Sequence, residues 1–124
     1  MPDAKVLVVD DDPVIQKLLK VNFEMEGYEV LSASDGAEGL DQARAGNPDI
    51  IILDVMMPKM NGLEVLAALK ADAGTEAIPV ILLSAKAQAG DVQAGIDRGA
   101  DDYVTKPFDP LDLLDRVGQF IRAK

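Results

Sequence analysis

"DIIILDVMMP", residues 49–58, decides the fold. Four aliphatic residues, Ile50 to Leu53, run without the apolar and polar alternation of a half-exposed strand. An unbroken short run of this kind reads as a strand hidden on both faces, the situation of a parallel sheet covered by helices on each side. Asp54 ends the run and three more apolar residues follow it. A carboxylate so placed is mostly enclosed, and enclosure demands a cation or hydrogen-bond donors to keep it ionised.

Outward from this stretch the same grammar repeats. "KVLVV" (5–9), "YEVLSA" (28–33), "PVILLS" (79–84) and "DYVT" (102–105) are further candidate strands, separated by segments with helical spacing. Val14, Leu18, Val21 and Met25 recur at steps of four, three and four, and Leu114, Val117 and Ile121 at three and four. Each set predicts one apolar stripe facing the sheet. Asp12 before Pro13 and Asp109 before Pro110 place a capping carboxylate ahead of a proline at the first helical position, and Asn61 with Glu64 forms a capping-box pattern. Gly27, Gly46 and Gly99 fit positions just past three helix ends. There is no internal repeat, low-complexity tract or linker, so residues 1–124 are expected to form one domain, a doubly wound open α/β sheet with right-handed crossovers.

Composition narrows the chemistry. With no cysteine and no histidine, the sequence has no disulfide, thiolate metal site, histidine base or histidine phospho-carrier of its own. The formal charge of −10 argues against direct nucleic-acid binding and suits a cation or a basic partner. No apolar run approaches the roughly 20 residues of a membrane span, and the start lacks a signal-peptide pattern, so a cytoplasmic location is expected.

In open parallel sheets, ligands bind beyond the carboxyl ends of the strands. The polar residues there are Asp10 and Asp11 after the first strand, Asp54 after the third, Ser84 after the fourth, and Thr105 with Lys106 after the fifth. Taken singly, each has a mild explanation: a loop acid, a strand-end hydroxyl, a solvated lysine. Together they describe one site. Clustered carboxylates tolerate one another around a divalent cation, and all-oxygen ligation suits Mg²⁺. A phosphate-bearing ligand then has Lys106 as a point charge and Ser84 as a hydroxyl donor, with Asp54 as candidate nucleophile.

The motifs "VLVVDDDP", "DIIILDVMMPKMNG", "VILLSA" and "GADDYVTKPFDP" resemble the receiver domain of two-component response regulators, from about Lys5 to Ile121. The resemblance implies a flavodoxin-like (βα)5 three-layer sandwich with strand order 2-1-3-4-5. It implies that Asp54 accepts a phosphoryl group from a histidine kinase or histidine phosphotransfer protein. It also implies that Asp11, Asp54 and the Met56 backbone carbonyl ligand Mg²⁺, with Asp10 acting through a coordinated water. Ser84 and Lys106 would hold phosphoryl oxygens, the Lys106-Pro107 peptide would be cis, and Ser84 with Tyr103 would form the switch, beside a small Ala85. Output to a downstream protein or effector domain would run through the fourth helix, fifth strand and fifth helix. Asp97, Asp101, Arg116 and Arg122 sit where some receivers place ion pairs across a phosphorylation-promoted homodimer.

Met56 and Lys86 occupy the family positions that tune loss of the phosphoryl group, and Met56 offers an attacking water no strong hydrogen bond, so slow self-dephosphorylation is expected. Ser84 stands where threonine is commoner and keeps the hydroxyl. One rival reading takes Asp10, Asp12 and Val14 as the D-x-D-x-V opening of a haloacid-dehalogenase-type phosphatase, with Asp10 as nucleophile. It leaves Asp54 without a task and puts Asp101 and Asp102 before Lys106 rather than after it.

Overall fold

The structure, a computed structural model, describes residues 4–57, 60–85 and 89–122, with the backbone alone at 89 and 91. Lys86 therefore lies outside the described residues. Five strands and five helices alternate: β1 (Lys5–Val9), α1 (Pro13–Met25), β2 (Glu29–Ala33), α2 (Gly36–Gly46), β3 (Ile50–Asp54), α3 (Gly62–Ala71), β4 (Val80–Ser84), α4 (Ala89–Asp97), β5 (Asp102–Thr105) and α5 (Pro110–Arg122). All pairings are parallel and the sheet order is β2-β1-β3-β4-β5. This is the doubly wound architecture expected, and each predicted strand is present to within one residue.

The apolar runs divide by parity, because successive side chains leave opposite faces of a strand. Leu7, Val9, Ile51, Leu53, Val80 and Leu82 meet Leu40, Ala43, Val65, Leu66 and Leu69 of α2 and α3 on one face. Val6, Val8, Ile50, Ile52, Ile81 and Leu83 meet Leu19, Phe23, Leu113 and Val117 of α1 and α5 on the other. Every residue of β3 and β4 is buried, as the unalternated sequence requires.

The caps follow the sequence closely. Asp12 Oδ1 accepts from Val14 N (2.9 Å), Asp109 Oδ1 from Leu111 N (2.9 Å), and Asn61 with Glu64 completes a reciprocal capping box. Gly27 and Gly99 adopt φ of 91° and 108°, the left-handed region in which a Cβ is penalised. Gly46 departs from expectation. It is the last residue of α2, and Asn47 takes the left-handed position at φ 49°. Close packing accounts for Gly46 instead, since a Cβ there would come within 2.5 Å of Leu31 Cδ1.

A second correction concerns α1. The stripe expected to face the sheet, Val14, Leu18, Val21 and Met25, points outward, with 72, 41, 47 and 77% of each residue exposed. The buried face is Leu19 and Phe23, with Ile15 packed beside them. A rotation of one residue, about 100°, separates the two faces, and both are apolar. Phe23 decides between them: it is fully buried and meets Tyr28 edge to face, centroids 5.9 Å apart. On α5 the stripe is as expected, with Leu114, Val117 and Ile121 packed on the same core and Leu113 added to it.

Candidate functional site

The carboxyl ends of β1 and β3 lie side by side, Val9 in register with Leu53, so Asp10 and Asp54 emerge together where the strand order reverses. Asp10 is fully buried and Asp54 is 2% exposed, whereas Asp11 is exposed. Each of the three offers a carboxylate oxygen, and these oxygens all lie within 4.8 Å of one another. The sequence-predicted acids are thus brought to one place.

Both buried carboxylates are held by backbone on one side and by Lys106 on the other. Asp10 Oδ1 accepts from Asp12 N (2.9 Å) and Asp54 Oδ1 from Met56 N (3.2 Å). Lys106 Nζ stands 3.1 Å from Asp10 Oδ2 and 3.4 Å from Asp54 Oδ2. Lys106 reaches them from the turn directly after β5, and the Lys106-Pro107 bond that follows is cis as expected. Its own N–H donates to Ser84 O (2.8 Å), tying that turn to the end of β4. Ser84 is fully buried and in register with Thr105. Tyr103, half-buried, is in register with Leu82 and packs with the α2 and α3 core, on the same face of the sheet as Ser84. A Cβ at Gly95 of α4 would stand 3.1 Å from its ring.

The turn after Asp54 is equally constrained. Val55 N donates to Leu83 O and Gly62 N to Val55 O, each at 2.9 Å. A Cβ at position 62 would sit 2.7 Å from Val55 Cα, so only glycine admits this approach of α3 to the acceptor turn.

Electrostatics follow from this geometry. Burial, reinforced by the charge of Asp10, raises the Asp54 pKa to about 6 from an ordinary 3.8, against the lowering effects of Lys106 and the Met56 N–H. Burial works to lower the Lys106 pKa, but Asp10 and Asp54 outweigh it and the ammonium is held above its usual value. Three carboxylates and one ammonium leave a net charge of −2 in the cluster. Hard oxygen donors, a deficit of two positive charges and one open side at Asp11 fit a hard divalent cation and offer nothing to a soft one.

Asp12, third of the adjacent acids, is spent on its cap and contributes no oxygen to the cluster, which removes the D-x-D pair that the phosphatase reading requires. Three of the four charges at the expected dimer face have partners within the chain: Arg116 binds Asp102 (2.7 Å) and Asp112 (3.0 Å), Asp101 accepts from Val80 N (2.9 Å), and Asp97 accepts from Gln93 (2.7 Å).

Two features were not read from the sequence. Gln16 of α1 donates from Nε2 to the backbone carbonyls of Asp10 and Ala33. Its partners are backbone atoms, which leave no trace in side-chain spacing. The outward face of α1 also adjoins the site: a groove of about 420 Å³ is lined by Ile15, Leu18, Ala85, Lys106, Pro107 and Phe108.

Comparison with known proteins agrees with this arrangement. Residues 6–118 match the family model described as the response regulator receiver domain. The DNA-binding dual master transcriptional regulator RpaA of Synechocystis is 46% identical over 118 residues, covering 95% of this chain and 49% of the relative. The alkaline phosphatase synthesis transcriptional regulatory protein PhoP of Bacillus subtilis is 45% identical over 120 residues, 97% of this chain and 49% of the relative. The chain thus spans about half the length of the curated relatives it matches. Among solved structures, Vibrio cholerae chemotaxis protein CheY4 aligns with a TM-score of 0.90 at 34% identity, covering 96% of this chain and 99% of that one. The receiver domain of the Francisella response regulator 1452 aligns at 0.91 and 38%, covering 98% and 99%.

Proposed function

Because the chain belongs to the response regulator receiver domain family, we propose that Asp54 is its phosphoacceptor and that the acidic cluster is its Mg²⁺ site. The observation that carries this reading is the enclosure of Asp54 between Asp10, Asp11 and Lys106. Asp10, Asp11, Asp54 and the Met56 carbonyl would hold the ion, Asp10 through a water. When bound, the ion neutralises charge on the cluster and on the phosphoryl oxygens.

An oxygen of Asp54 attacks phosphorus of a partner's phosphohistidine. The P–O bond forms, the P–N bond breaks, and the leaving imidazole recovers a proton from solvent. Lys106 exchanges its contact with Asp54 for a phosphoryl oxygen, and the Ser84 hydroxyl donates to another. With no histidine in this sequence, the donor is a histidine kinase or histidine phosphotransfer protein. The exposed apolar face of α1, continuous through Leu18 with the groove that ends at Lys106, supports docking of that donor beside Asp54. Small donors such as acetyl phosphate would serve in its place.

Movement of Ser84 toward the phosphoryl group opens room for Tyr103, whose ring borders α4, and so biases a two-state face of α4, β5 and α5 toward an effector domain or downstream protein. On this reading two copies pair through that face after phosphorylation, exchanging internal bonds of Arg116 for bonds across the two-fold. Sedimentation of beryllofluoride-treated protein as monomer at high concentration would remove the pairing from the proposal.

The acceptor assignment is tested by labelling with acetyl phosphate and Mg²⁺. Wild-type protein and Asp10→Asn should label, the latter more slowly, and Asp54→Asn should not. Label persisting in Asp54→Asn sinks the assignment, and loss confined to Asp10→Asn would favour the dehalogenase-type nucleophile.

A further inference from the structure

We propose that Gln16 is a positioning residue of the divalent-cation site, acting through the backbone of Asp10 and Asp11. Its Nε2 carries two protons, and the structure uses both: one toward Asp10 O, the other toward Ala33 O at 2.8 Å. Ala33 O also receives Asp10 N at 3.1 Å. The Asp10 main chain is therefore pinned at its N–H to the end of β2 and at its C=O to α1. The Asp10 side chain is pinned as well, by Asp12 N and Lys106.

Asp11 has no comparable restraint. Its exposed carboxylate takes no hydrogen bond or ion pair from another described residue, so the peptide plane joining it to Asp10 sets where it points. Gln16 holds that plane. It sits in the first turn of α1, half-buried, with its own N–H on Asp12 O (3.1 Å), so the helix that Asp12 caps also carries the clamp. Only a two-proton donor suits two carbonyls. Glutamate would set an acceptor against both, and methionine would fill the space with no donor. Groups that orient metal ligands in this way commonly change metal affinity by 10- to 100-fold.

This inference rests on the acidic cluster binding Mg²⁺, and the experiment separates the two. Mg²⁺ affinity is measured by calorimetry for wild type, Gln16→Met and Gln16→Glu, with urea stability measured in EDTA alongside. Wild-type protein that binds no Mg²⁺ overturns the site reading itself. Binding in wild type and about tenfold weaker binding in both variants, at similar metal-free stability, is the expected result. Affinity within twofold of wild type in Gln16→Met overturns the positioning role. So does tighter binding in Gln16→Glu alone, because a bare charge effect would act in that direction. A measurement on unaltered protein guards against variants that do not fold. During Mg²⁺ titration the Gln16 side-chain amide resonances should shift with saturation while those of Gln93 and Gln119 stay still, and a stationary Gln16 signal overturns the proposal.

Discussion

Asp54→Asn should make the metal-free protein more stable at pH 7.5 by about 2 to 3 kcal/mol, while leaving its stability near pH 4 almost unchanged. The folded-state pKa of Asp54, about 6, lies above the 3.8 of the unfolded chain. Folded protein therefore retains a proton that the unfolded chain releases between these values. Stability contributed by the neutral carboxyl is complete below pH 3.8 and is lost as pH rises through about 6. The interval corresponds to about 3 kcal/mol at about 1.4 kcal/mol per pH unit, and Asp54 is too enclosed for solvent to screen it. Asparagine keeps the shape and removes the charge. Urea denaturation of both proteins in EDTA from pH 4 to 8 gives the difference directly, and equal stability at pH 7.5 would mean that the carboxylate is comfortable where it lies. Mg²⁺ should close this gap. At 100 times its dissociation constant it adds about 2.7 kcal/mol to a protein that binds it, and Asp54→Asn lacks one ligand.

Lys106→Met should destabilise the metal-free protein by about 2 to 3 kcal/mol at pH 8, with the loss shrinking toward pH 5. Removing one partner of a buried pair typically costs about 3 to 5 kcal/mol because the other charge is left uncompensated. Here the loss is smaller, since Asp54 can take up a proton and the Lys106 side chain is itself 20% exposed. Without the ammonium the Asp54 pKa rises further, so the penalty is largest where both carboxylates must ionise. The same substitution should tighten Mg²⁺ binding by about tenfold, because the Lys106 ammonium, 3.1 Å from Asp10 and 3.4 Å from Asp54, repels a cation held among these carboxylates. Weaker Mg²⁺ binding in Lys106→Met would show that the lysine assists the ion rather than competing with it. Denaturation and calorimetry on the same samples read both effects.

The strands, the order of elements and the edge of the sheet that carries the cluster were legible in the sequence. An aliphatic run without alternation has one stable environment, between two layers of helices, and the run at Ile50–Leu53 admits little else. Asp10, Asp11, Asp54, Ser84 and Lys106 could be placed at one edge because parallel strands all end there. Caps were legible for a similar reason: Asp12, Asn61 and Asp109 act on amides two or three residues away, and so short a range leaves no tertiary choice.

Where two local solutions were nearly equal in energy, only the assembled fold could choose. The first helix carries two apolar faces one residue apart, and shape complementarity to the sheet buries Leu19 and Phe23 and leaves Val14, Leu18, Val21 and Met25 outside. Spacing measures periodicity along a helix and says nothing of which of two such stripes meets a partner. Asn47 rather than Gly46 ends the second helix, because Leu31, distant in sequence, presses on position 46. Lys106 and Asp10 are 96 residues apart, and Gln16 finds its carbonyls at the ends of two different strands. The residue types at the site were therefore set by the sequence alone, but the unequal burial of its acids and the clamp behind them come from contacts that exist only once all five strands are side by side.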